Sequence, residues 1–188
     1  MEELVELNVV GVSRSQIQQG AYALILEEVG GKRRIPIVVG MSEAQSIAVR
    51  LQSIIPPRPL THDLMTSAFH AFGIELSRVV ITAFENGVFS SELYLKSSQA
   101  ETVLDSRTSD AIGLALRSNA RIYTTPDIIA RTSFTPDDND IVDDDDEMIL
   151  ENLPIERLQA RMQHHIDCEE YEEAGRIKKI IESRSSGK

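Results

Sequence analysis

Apolar residues recur along this chain at two spacings, and the first to appear is that of strands. Between residues 4 and 12, Val5, Leu7 and Val9 alternate with polar neighbours, the period of a half-buried strand. Residues 21–29 predict a second strand, and Ile35-Pro36-Ile37-Val38-Val39 predict its return. Gly30-Gly31 between them accept the positive φ of a tight hairpin. Pro36 has no N–H for a ladder, which places its strand at a sheet edge or makes its start irregular. Further on, residues 79–84 and 88–95 flank Asn86-Gly87, a strong hairpin signal, and residues 102–104 add a short strand.

Helical spacing appears between these units. Ser42-Glu43-Ala44-Gln45 has the form of a capping box and opens a helix carrying Ala44, Ile47, Ala48 and Leu51. Pro56-Pro57-Arg58-Pro59 ends it in a stiff, extended connection. Thr61 is placed to cap the next helix, with Leu64, Ala68, Phe69 and Phe72 as its buried stripe and Gly73 as its stop. A helix over 109–118 carries Ala111, Ile112, Ala115 and Leu116, and Thr125-Pro126-Asp127 reads as another helix start. Hairpins and helices mix without a regular βαβ alternation. The expected fold for residues 1–132 is therefore α+β, a mixed, largely antiparallel sheet with packed helices.

The composition then changes. Nine acidic residues lie between Asp137 and Glu151, and their mutual repulsion predicts a disordered linker over 133–152. The segment lacks the central glycine and spaced ligands of an EF-hand loop. Residues 153–188 show Ile155, Leu158, Met162 and Ile166 at helical spacing after Pro154, then Tyr171, Ala174, Ile177 and Ile181. They predict a C-terminal helical hairpin, too small to bury much by itself, which calls for a partner.

Charge follows the same division. Residues 1–132 hold 12 Lys and Arg against 14 Asp and Glu, whereas residues 133–188 hold 7 against 16. The first domain is nearly neutral, which argues against nucleic-acid binding through overall charge and leaves room for a local patch. Cys168 is the single cysteine, beside Glu169 and Glu170, and points neither to disulfides nor to a reactive thiol. No apolar run approaches the roughly 20 residues of a membrane span, and Met1-Glu2-Glu3 is unlike a basic signal start. A cytoplasmic protein without membrane contact is expected.

Three stretches carry a resemblance. PIVVGMSEAQ at 36–45, RPLTHDLM at 58–65 and DSRTSDAI at 105–112 are similar, in order and spacing, to the bifunctional nuclease domain family, over about residues 3–132. Thr108 departs from the proline that family would have there. The resemblance implies hydrolysis of phosphodiester bonds in both DNA and RNA. Residues 153–184, with Leu158, Met162, Glu170-Tyr171-Glu172 and Ala174, resemble the UVR helical hairpin, which implies contact with a protein partner.

Phosphodiester hydrolysis needs proton transfer and positive charge against the developing phosphorane. The three stretches supply His62, Asp63, Asp105 and Asp110 as candidate catalytic residues, with Arg58 and Arg107 as phosphate contacts. Glu43, Asp63, Asp105 and Asp110 are candidate ligands for a divalent metal such as Mg²⁺. Each has a plainer explanation. Glu43, Asp63 and Asp110 fall in predicted first helical turns, where a carboxylate is favoured by the exposed N–H groups. Asp105 and Arg107 can pair across a turn, His62 can face solvent, and Arg58 can pack against its prolines. His164-His165 are adjacent and diverge on a helix, so they do not chelate one ion together. Two functions follow: a broad-specificity nuclease, whose site residues converge in one pocket, or a non-catalytic regulator or adaptor recruited through the hairpin, whose polar residues scatter. Sheet edges and the apolar hairpin face predict self-association in either case. The acidic linker is further expected to fill a basic groove as an internal phosphate mimic.

Overall fold

The structure is a computed structural model that describes residues 3–14, 21–135 and 171–185, with short helical stretches at 158–159, 162–163 and 165–166. The elements are β1 (Val5–Arg14), β2 (Tyr22–Glu28), β3 (Arg34–Val39), α1 (Met41–Leu51), α2 (Thr61–Ala71), β4 (Glu75–Glu85), β5 (Val88–Lys96), β6 (Glu101–Arg107), α3 (Thr108–Ser118), β7 (Arg121–Thr124), α4 (Pro126–Thr132) and α5 (Tyr171–Ser185). The chain divides into two compact units, Met1–Val142 and Asp143–Lys188.

In the first unit seven strands form one sheet in the order β3-β2-β1-β7-β4-β5-β6. Two antiparallel meanders, β1-β2-β3 and β4-β5-β6, are joined through the short β7. β7 runs antiparallel to β1 and parallel to β4, the one parallel pairing among the described strands. The fold is α+β, as the mixed patterning predicts. Both expected hairpins are present. Gly30 has φ +76°, and Asn86 and Gly87 have φ 51° and 82°, the left-handed pair that matches strand twist. Pro36 lies on β3 opposite Ile25, and β3 is an edge strand. β7 leaves no mark on the hydropathy pattern, because four residues between two helices are too few for alternation to register.

Helix α3 supplies the central packing. Its Ala111, Ile112, Leu114 and Ala115 are buried, as are Val79 and Ile81 of β4 and Leu93 of β5, the strands on which it rests. Full burial of a side chain such as Ile112 stabilises by about 1.5–3 kcal/mol. α1 and α2 each pack on α3, and α4 reaches both β3 and β4, so the sheet curls strongly. Beyond α4, Phe134 exchanges two backbone hydrogen bonds of 2.8 Å with Arg34 of the edge strand.

Two helix starts differ from expectation. α1 is capped at Gly40 rather than Ser42, and the Glu43 carboxylate folds back over Gly40 where a Cβ would otherwise sit. α2 starts at Thr61, which is its first residue and not its cap; Asp63 Oδ2 accepts from the Leu60 N–H at 2.8 Å. The expected apolar stripe of α2 is also overturned. Phe69 is buried, but Leu64, Ala68 and Phe72 face outward, while His62, Asp63 and Thr66 are half-buried.

In the second unit, Ala174 and Ile177 of α5 are buried, Ile181 is half-buried and Tyr171 is exposed. Leu158 and His165 are buried and Ile166 is exposed, so His165 takes the inward place expected of Ile166. The acidic segment, Ile155 and Cys168 lie outside the described residues. No helix among those described is long and apolar enough to cross a membrane.

Candidate active site

Each of α1, α2 and α3 carries a carboxylate three residues into the helix, at Glu43, Asp63 and Asp110. That position is favoured in any helix by the unpaired N–H groups and the dipole. What local preference does not dictate is that the three carboxylates join one polar network between the helices.

Arg107, the cap residue of α3, begins the network. Its Nε donates to Asp110 Oδ2 at 2.7 Å and its Nη2 to Asp110 Oδ1 at 3.1 Å, a bidentate grip. Its Nη1 donates to Glu43 Oε1 at 3.0 Å and so ties α1 to α3. Asp110 Oδ1 also lies 3.2 Å from His62 Nε2. Burial pushes the Asp110 carboxyl up, but hydrogen bonds and charge from Arg107, with His62, outweigh it and leave Asp110 below the usual carboxylate range. The same hydrogen bond to Asp110, with the charges of Asp110 and Glu43, raises the Arg107 guanidinium.

The other face of the imidazole meets α1. His62 Nδ1 is 2.9 Å from Ser46 Oγ. Arg117, in the last turn of α3, donates to Ser46 Oγ at 3.3 Å, to Ser46 O at 3.2 Å and to Gly113 O at 3.0 Å, and forms an ion pair with Asp63. Burial raises the Asp63 carboxyl, and the opposing pull of Arg117 and the Leu60 N–H leaves it lowered on balance. The imidazole rests on α3 at Gly113, where no side chain intervenes. Thr108, which stands where proline was expected, is buried and bonds Ser91 Oγ through its own hydroxyl at 2.7 Å. Proline's fixed φ suits a first helical position, and the hydroxyl instead ties that turn to β5.

Five of the residues expected from sequence thus meet: Glu43, His62, Asp63, Arg107 and Asp110. Two do not. Ser91 and Leu93 point toward α3, so Glu92 and its cross-strand partner Asp105 point to the opposite sheet face, away from Asp110. Arg58 is exposed in the proline connection. A groove of about 410 Å³ opens at the Asp63–Arg117 end, between those residues, Thr66, Ile55, Pro56 and Pro59.

In this structure three of the four carboxylates expected to hold a divalent metal are paired with guanidinium groups. Among the described residues no three of His, Cys, Asp and Glu come together as ligands. Asp63 and Asp110, with Glu43, already hold guanidinium partners, and Asp105 is on the other face. Ser46, Gly113 and Arg117 complete the cluster without a sequence signal of their own. Ser46 sits mid-helix like any small polar residue, and Arg117 has the C-terminal place that a helix dipole gives to a cation.

The family model described as the bifunctional nuclease domain matches residues 24–137. Two proteins of Mycobacterium tuberculosis, uncharacterized protein MT1877 of strain CDC 1551 / Oshkosh and uncharacterized protein Rv1829 of strain ATCC 25618 / H37Rv, are similar to this chain. Each is 36% identical over 136 residues, which covers 72% of this chain and 80% of the relative.

Proposed function

This chain belongs to the bifunctional nuclease domain family, and on that premise we propose that it hydrolyses phosphodiester bonds in DNA and RNA at the His62–Asp110–Arg107 cluster. One observation carries the reading: a single oxygen, Asp110 Oδ1, lies within hydrogen-bond distance of both the imidazole of His62 and the guanidinium of Arg107. A phosphate oxygen that took its place would meet the group suited to proton exchange and a permanent cation together. The N-termini of α1 and α3, brought together by the Arg107–Glu43 bridge, add positive potential at the same spot. Arg107 is two-thirds exposed, so substrate reaches it without unfolding a helix. A Mg²⁺ ion at these carboxylates would first have to displace a guanidinium.

The reading extends to the second unit, where residues 153–184 serve as a contact for a protein partner, to self-association in solution, and to a cytoplasmic site of action. The rival reading, a non-catalytic regulator or adaptor, is favoured by one feature: Arg107 is held by Glu43 and Asp110, and Arg117 by Asp63, Ser46 and Gly113, so both cations are already engaged within the protein. The test is cleavage of single-stranded DNA, double-stranded DNA and RNA by the purified full chain, with Mg²⁺ and with a chelator. His62→Gln and Asp110→Asn are expected to lose activity in a folded protein, and Asp105→Ala to keep it. Equal cleavage by all four proteins points to a contaminant. No cleavage by any of them transfers the case to the adaptor.

A further inference from the structure

We infer that Arg117 and Ser46 are positioning residues that fix the tautomer of His62, so that the neutral imidazole keeps its proton on Nε2 and faces Asp110 and Arg107 as a hydrogen-bond donor. The consequence for phosphate recognition rests on the proposed function; the tautomer itself does not.

Arg117, Ser46, His62 and Asp110 form a four-membered chain whose two ends are each one-way. A guanidinium has donors and no acceptor. Arg117 Nη2, 3.3 Å from Ser46 Oγ, therefore gives a proton to that oxygen and takes none. At the other end, an ionised carboxylate only accepts. Asp110 is ionised through the neutral range, its carboxyl held low by Arg107 against the effect of burial. The contact between His62 Nε2 and Asp110 Oδ1 at 3.2 Å is therefore a donation from nitrogen to oxygen. A neutral imidazole with its proton on Nε2 has a lone pair on Nδ1. The atom facing that lone pair is Ser46 Oγ at 2.9 Å, which gives its single proton to Nδ1 while one of its two acceptor sites takes Arg117. The sequence Arg117 to Ser46 to His62 to Asp110 thus runs one way through all three hydrogen bonds.

Neither positioning residue is placed to touch substrate at Arg107. Ser46 is buried behind the ring, and the Arg117 side chain is 5% exposed. Their effect is on the face that His62 presents. Asp110 Oδ1 receives Nε2 of His62 and Nη2 of Arg107 at 3.2 and 3.1 Å, and a phosphodiester oxygen in its place would receive the same two donors. In this arrangement His62 enters as a donor to phosphate, with the opposite tautomer excluded before substrate arrives. Such preorganised donors stabilise developing charge without reorienting at the moment of reaction.

The test is nitrogen NMR of the full chain carrying ¹⁵N-labelled histidine, at a pH where the ring is neutral. The chain has four histidines, and the His62 signal is the one lost in His62→Gln and kept in His70→Gln. The wild type is expected to show a protonated Nε2 and an acceptor-type Nδ1. Ser46→Ala is expected to shift Nδ1 away from the hydrogen-bonded acceptor signature, and Ser46→Thr, which keeps the hydroxyl, to retain it. Arg117→Gln replaces a donor-only partner by an amide that can also accept the Ser46 proton, and is expected to give mixed tautomers. Should that variant fail to fold, the two Ser46 variants decide. A wild-type ring protonated on Nδ1, or a His62 signature unchanged in Ser46→Ala, overturns the inference. Because the readout needs no substrate, an inactive protein with the expected tautomer sinks the nuclease reading alone.

Discussion

Gly113 of α3 lies directly against His62 of α2: a Cβ at residue 113 would stand 2.9 Å from Nε2, 3.0 Å from Cδ2 and 3.2 Å from Cε1. Those separations are too short for any side chain, so the missing methyl is what lets the imidazole rest on α3 within reach of Asp110. Gly113→Ala is expected to displace the ring and leave the fold intact, since the clash is with a side chain that can turn away. Alanine's helix preference, worth up to about 1 kcal/mol, works against the repacking cost. On the proposed function, a ring displaced by about 1 Å lowers kcat by on the order of 10²-fold. Unchanged turnover in a folded Gly113→Ala protein would remove His62 from the chemistry.

Phe69 and Phe72 are one turn apart on the sequence and differ in surroundings. Phe69 is 9% exposed and Phe72 is 80% exposed. Phe69→Ala is expected to cost about 3–5 kcal/mol in urea unfolding, as for a buried aromatic. Phe72→Ala is expected to fall within about 0.5 kcal/mol of wild type. Similar costs for the two would restore the apolar stripe that the sequence suggests for α2.

That stripe shows where sequence reasoning stops. Alternation at Val5, Leu7 and Val9 and the left-handed pair Asn86-Gly87 are local signals, and the hairpins follow from them. In α2 the inward face holds His62, Thr66 and Phe69, spaced like any helical stripe but mostly polar. Hydropathy favoured the other face because the reason to turn His62 and Asp63 inward is not in α2. It lies in Asp110 and Arg117, 48 and 54 positions along the chain from the residues they hold. Glu43, Asp63 and Asp110 were visible as first-turn carboxylates. Their meeting was not, because it depends on α1 and α2 both packing on α3. Asp105 was drawn in by its nearness in sequence to Asp110, and strand alternation sends it to the opposite face.

Arg117 and Asp63 form an ion pair with one partner enclosed: the Arg117 side chain is almost fully buried and Asp63 is less so. Removing a buried partner strands the other charge, and here it also takes the second donor from Gly113 O and Ser46 O. Arg117→Ala is expected to cost about 3 kcal/mol, the lower end of the range for a broken buried pair, because water reaches Asp63. Lys96 and Glu101 are both well exposed, and Lys96→Ala is expected to cost under about 1 kcal/mol. Equal costs in denaturant titrations would mean that Arg117 acts as an ordinary surface charge.

Asp63 and Asp110 also set how the fold responds to acid. Both carboxyls lie below the unfolded value of about 3.9 despite burial that works the other way, because Arg117 and the Leu60 N–H hold Asp63 and Arg107 holds Asp110. A carboxyl lowered in the folded state binds its proton more weakly there than in the unfolded chain. Its contribution is therefore complete above the unfolded value and is lost as pH falls through the folded one. Wild type is expected to lose stability progressively as pH drops below about 4. Asp63→Asn, which keeps an oxygen for the Leu60 N–H but drops the charge facing Arg117, is expected to be less stable at pH 7 and flatter across the acid range. Asp110→Asn is expected to behave in the same way, with Arg107 left to Glu43 alone. The check is the midpoint of thermal unfolding measured from pH 7 down to pH 2.5 for the three proteins. Curves that converge at low pH locate the acid sensitivity in these two carboxylates, and curves that stay parallel place it elsewhere in the chain.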